Sequence, residues 1–89
     1  MAIDVFLPAA WQRLGVAERH LRFEGDSLHG LLGDLKQRWP LLAGHWLRPD
    51  GTPMNQLQLF VNGEPVPPRA DRALRDGDAV DLLLPISGG

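Results

Sequence analysis

The 89 residues hold nine Lys and Arg against eleven Asp and Glu, a formal net charge of −2, with 44% hydrophobic residues and 22% charged. That is one folded domain, small enough to bury only about 60–65% of the surface its unfolded chain exposes. The scattered basic residues argue against a nucleic-acid or anionic-membrane partner, and the lack of cysteine excludes a disulfide framework, a thiolate metal site and a cysteine nucleophile.

The opening MAIDVFLPAA is apolar, but Asp4 interrupts it and no basic stretch precedes it. It reads as a first strand ended by Pro8 rather than a signal peptide. No run is long enough to span a bilayer, so the expected compartment is the cytoplasm. Ala9 to Gly15, with Trp11, reads as a loop. RHLRFEG (19–25) alternates, with Leu21 and Phe23 opposite His20, Arg22 and Glu24, the pattern of a half-buried strand hairpinned with the first.

The period then changes. In DSLHGLLGDLKQRWP, Leu28, Leu31, Leu32, Leu35 and Trp39 fall on one helical face. Asp26 or Ser27 can accept from the first free amides, and Pro40 discourages continuation. Gly30 and Gly33 each cost roughly 1 kcal/mol against Ala, so packing must hold this helix. LLAGHWLRPDGTP (41–53) begins as a short helical turn and runs into a Pro/Gly loop. LQLFVNGEPV is a strand, a tight Asn62-Gly63 turn and a short return strand. PPRADRALRDGDAVDLLLPI holds a proline-broken connection, a turn at Asp76-Gly77-Asp78, and a last strand from Ala79 to about Pro85.

The order β-β-α-β-β-β predicts an α+β fold, a β-grasp roll with one main helix on one face of a mixed sheet of four or five strands. Both terminal strands are apolar enough to be central. If they pair, they run parallel, because the first hairpin leads into a helix that crosses the sheet. The domain is expected to span 1–84, and 85–89 a flexible tail.

FVNGEPV followed by LRDGDAVDLLLPISGG resembles the second half of the ubiquitin-like sulfur carriers of the MoaD/ThiS type. There, a V-N-(G/D)-E hairpin precedes an L-x-D-G-D-x-V strand and a Gly-Gly end. DSLHGLLGDLKQRWP is similar to the helix of that family, and Ser87 stands where it often has Ala. The resemblance implies a carrier rather than an enzyme, with no cofactor bound. An E1-like adenylating enzyme activates the terminal carboxylate of Gly89 with ATP, and sulfur converts it to a thiocarboxylate. That sulfur passes to a biosynthetic acceptor enzyme. Some relatives carry residues beyond Gly-Gly, which adds a trimming protease to the expected partners.

The residues supply a physical reason for such an ending. Gly88 and Gly89 lack Cβ atoms and offer minimal bulk and full backbone freedom. From Pro85 the extended chain reaches roughly 16 Å, enough to thread Ile86, Ser87 and the glycines into an enzyme cleft.

Strand parity marks a second feature. Ile3, Val5 and Leu7 share a face, as do Leu57, Leu59 and Val61, and Val80, Leu82, Leu84 and Ile86. If the helix covers that aliphatic side, Phe6, Phe60 and Leu83 emerge on the other, adjacent if the last strand lies between the other two. Leaving each in water forgoes about 1.5–3 kcal/mol. Such a patch marks a protein contact, here with the activating enzyme and the sulfur acceptor.

His20, His29 and His45 lack metal-ligand spacing and read as surface histidines. Trp11, Trp39 and Trp46 read as core and loop anchors, and Arg69, Arg72 and Arg75 as a solvated group. The insertion RWPLLAGHWLRPDGTPMNQLQLF looks similar to the longer carriers of amino-acid and thio-metabolite synthesis. A molybdopterin synthase small subunit is the alternative within the family. A ubiquitin-like modifier joined to lysines through Gly89, and a plain β-grasp binding module, remain as other classes.

Overall fold

The computed structural model describes residues 2–67 and 70–84. Five strands and one long helix follow in the expected order: β1 (Ala2–Phe6), β2 (His20–Glu24), α1 (Leu28–Arg38), a short α2 (Ala43–Trp46), β3 (Gln58–Val61), β4 (Glu64–Val66) and β5 (Ala79–Leu83). The sheet order is β2-β1-β5-β3-β4. β1 and β5 pair in parallel at its centre, while the other neighbours are antiparallel. This is the α+β, β-grasp arrangement, with a five-stranded mixed sheet. No helix among the described residues is long and apolar enough to cross a membrane.

Alternation determines which side is covered. Ile3, Val5, Leu21, Phe23, Leu59, Val61, Val80 and Leu82 are buried on one face of the sheet. They join Leu28, Leu31, Leu32 and Leu35 of α1 in a single apolar core. Trp39, the last of the helical stripe, is half-buried against it. Ser27 caps the helix, its Oγ accepting from the Gly30 amide at 3.0 Å. The incoming chain is also clipped in place by the loop before β5. The Leu28 amide donates to the Arg72 carbonyl, and the Leu74 amide to that of Asp26, both at 2.8 Å.

One segment departs from expectation. Ala9–Leu14 is a 3-10 helix rather than a loop, closed by Gly15 at φ 98°. The reason lies in packing: the turn drives Trp11 into the core, where its ring meets Trp39 at 6.2 Å and Trp46 at 6.0 Å. The three tryptophans are thus core and loop anchors. The stretch after Pro40 is helical at its start as expected, forming a 3-10 turn and then α2 before a loop that closes on itself through a Leu47–Pro53 bridge. It buries Leu42, Trp46 and Leu47 as a lid on one end of the core.

The two turns flanking the central strands are locked to each other. Asn62 and Gly63 both take positive φ (52° and 83°), as a tight hairpin turn of this twist requires. The Asn62 side chain then reaches β5. Its Nδ2 donates to Asp78 Oδ1 and its Oδ1 accepts from the Ala79 amide, each at 2.9 Å. Asp78 Oδ2 accepts from the Arg75 amide at 2.8 Å. The Arg75 amide, followed by the Asn62 amide group and the Arg72 and Arg75 charges, lowers the Asp78 pKa from 3.8 against a desolvation that opposes it.

Two tests of this architecture follow. A Cβ on Gly25 would lie 2.6 Å from Phe23 Cε2 and nearer still to Cζ, whereas one on Gly33 meets nothing within 4 Å. Gly25→Ala should therefore cost about 1–3 kcal/mol in denaturant unfolding, and Gly33→Ala should gain about 0.5–1 kcal/mol. The second test concerns pH. Because the folded pKa of Asp78 is depressed, its contribution is full above the unfolded value near 3.8 and is lost as pH falls through the folded one. Asp78→Asn should lower the thermal midpoint at pH 7 and flatten the loss of stability between about pH 5 and pH 2.

Candidate functional site

The sheet face turned away from α1 carries Ala2, Asp4 and Phe6 of β1, Ala79, Asp81 and Leu83 of β5, and Gln58 and Phe60 of β3. The register aligns one residue from every strand. Phe6 stands opposite His20 on one side and Asp81 on the other. Asp81 stands opposite Phe60, and Phe60 opposite Pro65. The transverse row is thus His20, Phe6, Asp81, Phe60, Pro65. Leu83 lies one pair further along, opposite Gln58.

The residues marked by parity meet here as expected in face and differ in degree. Phe6 and Leu83 are 41% and 47% exposed, a large share for an aromatic and a leucine. Phe60 is half-buried, flanked by its own hairpin partner Pro65. Neighbouring strands lie about 4.8 Å apart, so the two phenylalanines stand about 10 Å from each other with β5 between. Leu14 (40%) and Leu41 (94%) are also exposed, but they belong to the two 3-10 turns and not to the sheet.

Polar groups frame this surface on one side. The His20 ring stacks on Phe6 with centroids 4.9 Å apart, and its Nε2 lies 3.1 Å from Asp4 Oδ1. Arg22 Nε approaches the same oxygen at 3.9 Å. These pairs are exposed and contribute little stability, but they hold the Phe6 ring from its open side. The other charged residues marked in the sequence sit elsewhere. His29 contacts Asp71 at the start of α1, and Arg72 reaches Glu64 at 3.8 Å. The same face would have been incomplete from sequence alone: His20, Asp81 and Pro65 join the row only through register, which parity does not supply.

β5 runs parallel to β1, so it ends at the same end of the sheet as Phe6. Leu83 closes the strand, and Leu84 follows it, half-buried against the core. Ile86, Ser87, Gly88 and Gly89 lie outside the described residues, as does Arg69. The apolar face and the point where the chain leaves the sheet therefore share one end of the domain.

Solved structures share this architecture. SAMP1 from Haloferax volcanii superposes with a TM-score of 0.83 at 24% identity, covering 100% of both chains. The Amycolatopsis orientalis BexX/CysO complex contains a chain that matches with a TM-score of 0.76 at 20% identity, over 99% of this chain and 100% of that one. A chain of the complex between subunits 1 and 2 of molybdopterin-converting factor from Helicobacter pylori matches with a TM-score of 0.62 at 19% identity, over 100% of each. No curated protein sequence matches significantly. The ThiS family model matches residues 9–89, nearly the whole chain and both motifs locked together by Asn62 and Asp78. The chain belongs to the ThiS family of ubiquitin-like, β-grasp sulfur-carrier proteins.

Proposed function

We propose that this carrier works through the carboxylate of Gly89, which an E1-like enzyme adenylates and a sulfur donor converts to a thiocarboxylate. The observation that carries the reading is the ThiS-family match, which runs through the terminal Gly-Gly. A free α-carboxylate, with an ordinary pKa of about 3.3–3.7, is ionised at neutral pH and a poor electrophile. Its oxygen attacks the α-phosphorus of ATP in the partner's site, releasing pyrophosphate. A hydrosulfide sulfur then attacks the acyl carbon and AMP leaves. The folded body supplies no catalytic side chain in this scheme and binds no cofactor of its own; ATP belongs to the partner. Its task is docking, and Phe6, Phe60 and Leu83 form the surface for it. Gly88, Ser87 and Ile86 thread into the partner's cleft.

The sulfur acceptor in this reading is a biosynthetic enzyme of amino-acid or thio-metabolite formation. The likeness to a CysO-containing complex, with the long 41–56 segment, supports that destination. A molybdopterin synthase small subunit is the alternative, supported by the lower-scoring Helicobacter pylori likeness. The likeness to SAMP1 favours a second class, a modifier joined through Gly89 to lysines of other proteins. The two classes share adenylation and differ in the acceptor.

Intact mass spectrometry after incubation with ATP, the adenylating enzyme and sulfide separates them. A carrier gains the mass of one sulfur replacing one oxygen, and loses that gain when Gly89 is deleted. A modifier forms isopeptide-linked species with lysines of other proteins. No mass change on the intact chain under these conditions would sink the carboxylate chemistry. For the face, Phe6→Ser and Leu83→Ser should each weaken binding to the adenylating enzyme about tenfold with the unfolding midpoint unchanged, as loss of a central apolar anchor does. Unchanged affinity in both would remove the face from the docking surface.

A further inference from the structure

Asp81 is the odd member of the transverse row. It stands directly opposite Phe6 on one side and Phe60 on the other, in the middle strand of the sheet. Directly opposite residues on one sheet face have Cβ atoms about 4.5–5.5 Å apart, so the carboxylate lies between two aromatic side chains. It is half-buried, and among the described residues no cation or hydrogen-bond donor contacts its side chain. Asp4, an acid of the same face, is provided for: it has His20 at 3.1 Å and Arg22 at 3.9 Å. Parity alone would accept any residue at position 81, and an apolar one would complete a continuous stripe from Phe6 to Phe60.

A partner that covers Phe6, Phe60 and Leu83 must also cover Asp81. Removing an ionised carboxylate from water without a counter-charge is strongly unfavourable, so a purely apolar partner surface is rejected. A second copy of this chain fares no better where the two-fold contact centres on Asp81, because it brings one carboxylate toward the other. An anionic nucleic acid or membrane surface is repelled for the same reason. Arginine fits instead. Its planar guanidinium pairs with a carboxylate in a two-pronged fashion and stacks on aromatic faces, and here both are offered side by side.

We propose that Asp81 is the specificity anchor of the outer sheet face, accepting an arginine side chain of the partner protein between Phe6 and Phe60. This rests on the reading that the face docks partner proteins, and it adds which chemistry the partner must present. Asp81 excludes apolar surfaces as much as it recruits a basic one.

The test uses the full chain, isotopically labelled, titrated with the peptides acetyl-Leu-Arg-Leu-amide and acetyl-Leu-Gln-Leu-amide and followed by amide NMR shifts. The arginine peptide should perturb Phe6, Phe60 and Asp81 together and bind at least tenfold more tightly than the glutamine peptide. Asp81→Asn should erase that preference, leaving the dispersion of the spectrum intact. Equal binding of the two peptides, a preference that survives in Asp81→Asn, or no perturbation of this row would each overturn the proposal. Asp81→Leu gives a second reading against the adenylating enzyme: weaker binding supports the anchor, and equal or tighter binding refutes it. The face reading fails separately, through unchanged binding of Phe6→Ser and Leu83→Ser, so the two outcomes are distinguishable.

Discussion

The fold depends on one insertion: the final strand enters between the first and third, giving β5 hydrogen-bonding partners on both edges. A parallel neighbour on one side and an antiparallel one on the other cannot both be satisfied unless the register is correct on each. A slip of one residue would turn Val80 and Leu82, which are fully buried, toward water and drive Asp81 and Leu83 into the core. The Asn62–Asp78–Ala79 hydrogen bonds guard against this at the start of the strand. Core and outer face are therefore two consequences of one register. The outer face cannot be rearranged without disturbing the interior.

Much of this was legible in the chain before any coordinates, and the limits have a physical cause. The leucine spacing of α1 and the alternation of β1, β2, β3 and β5 state which residues go inward, because period reports facing directly. Parity likewise places Phe6, Phe60 and Leu83 on the far side. Period says nothing about segments that lack one. Trp11, Val16, Leu42, Leu47 and Leu74 are all buried from turns and loops, held by long-range packing that leaves no local signature. The 3-10 turn at Ala9–Leu14 was invisible for that reason. Register is equally silent in sequence. Asp81 is visibly on the face of Leu83, but only the pairing with Phe6 and Phe60 shows that it splits the aromatic stripe.

The two sequence motifs that mark the family also have a joint structural meaning in this chain. V-N-G-E needs an asparagine that tolerates positive φ, and L-x-D-G-D needs an acid that can accept from a neighbouring amide. Here the same two side chains bond to each other, so each turn is completed by the other. That makes the pair a single device for seating β5, separated by sixteen residues in the chain and adjacent in space.

A body with this construction suits the proposed chemistry, which is carried on the backbone terminus. Nothing in such a reaction requires a reactive side chain, which is in keeping with a sulfur carrier that has no cysteine. On that proposal, what remains for the side chains is recognition. The related folds superpose over nearly their full length at about a fifth to a quarter identity, so the scaffold tolerates wide replacement while keeping its sheet and helix. Inward positions are restricted by packing, whereas outward positions on β1, β3 and β5 are free of that restriction. Asp81, half-buried at the centre of that outward surface and without a partner among the described residues, has no role in the core below it. On the proposed reading its consequence falls on whichever surface covers it, where one partner is discriminated from another.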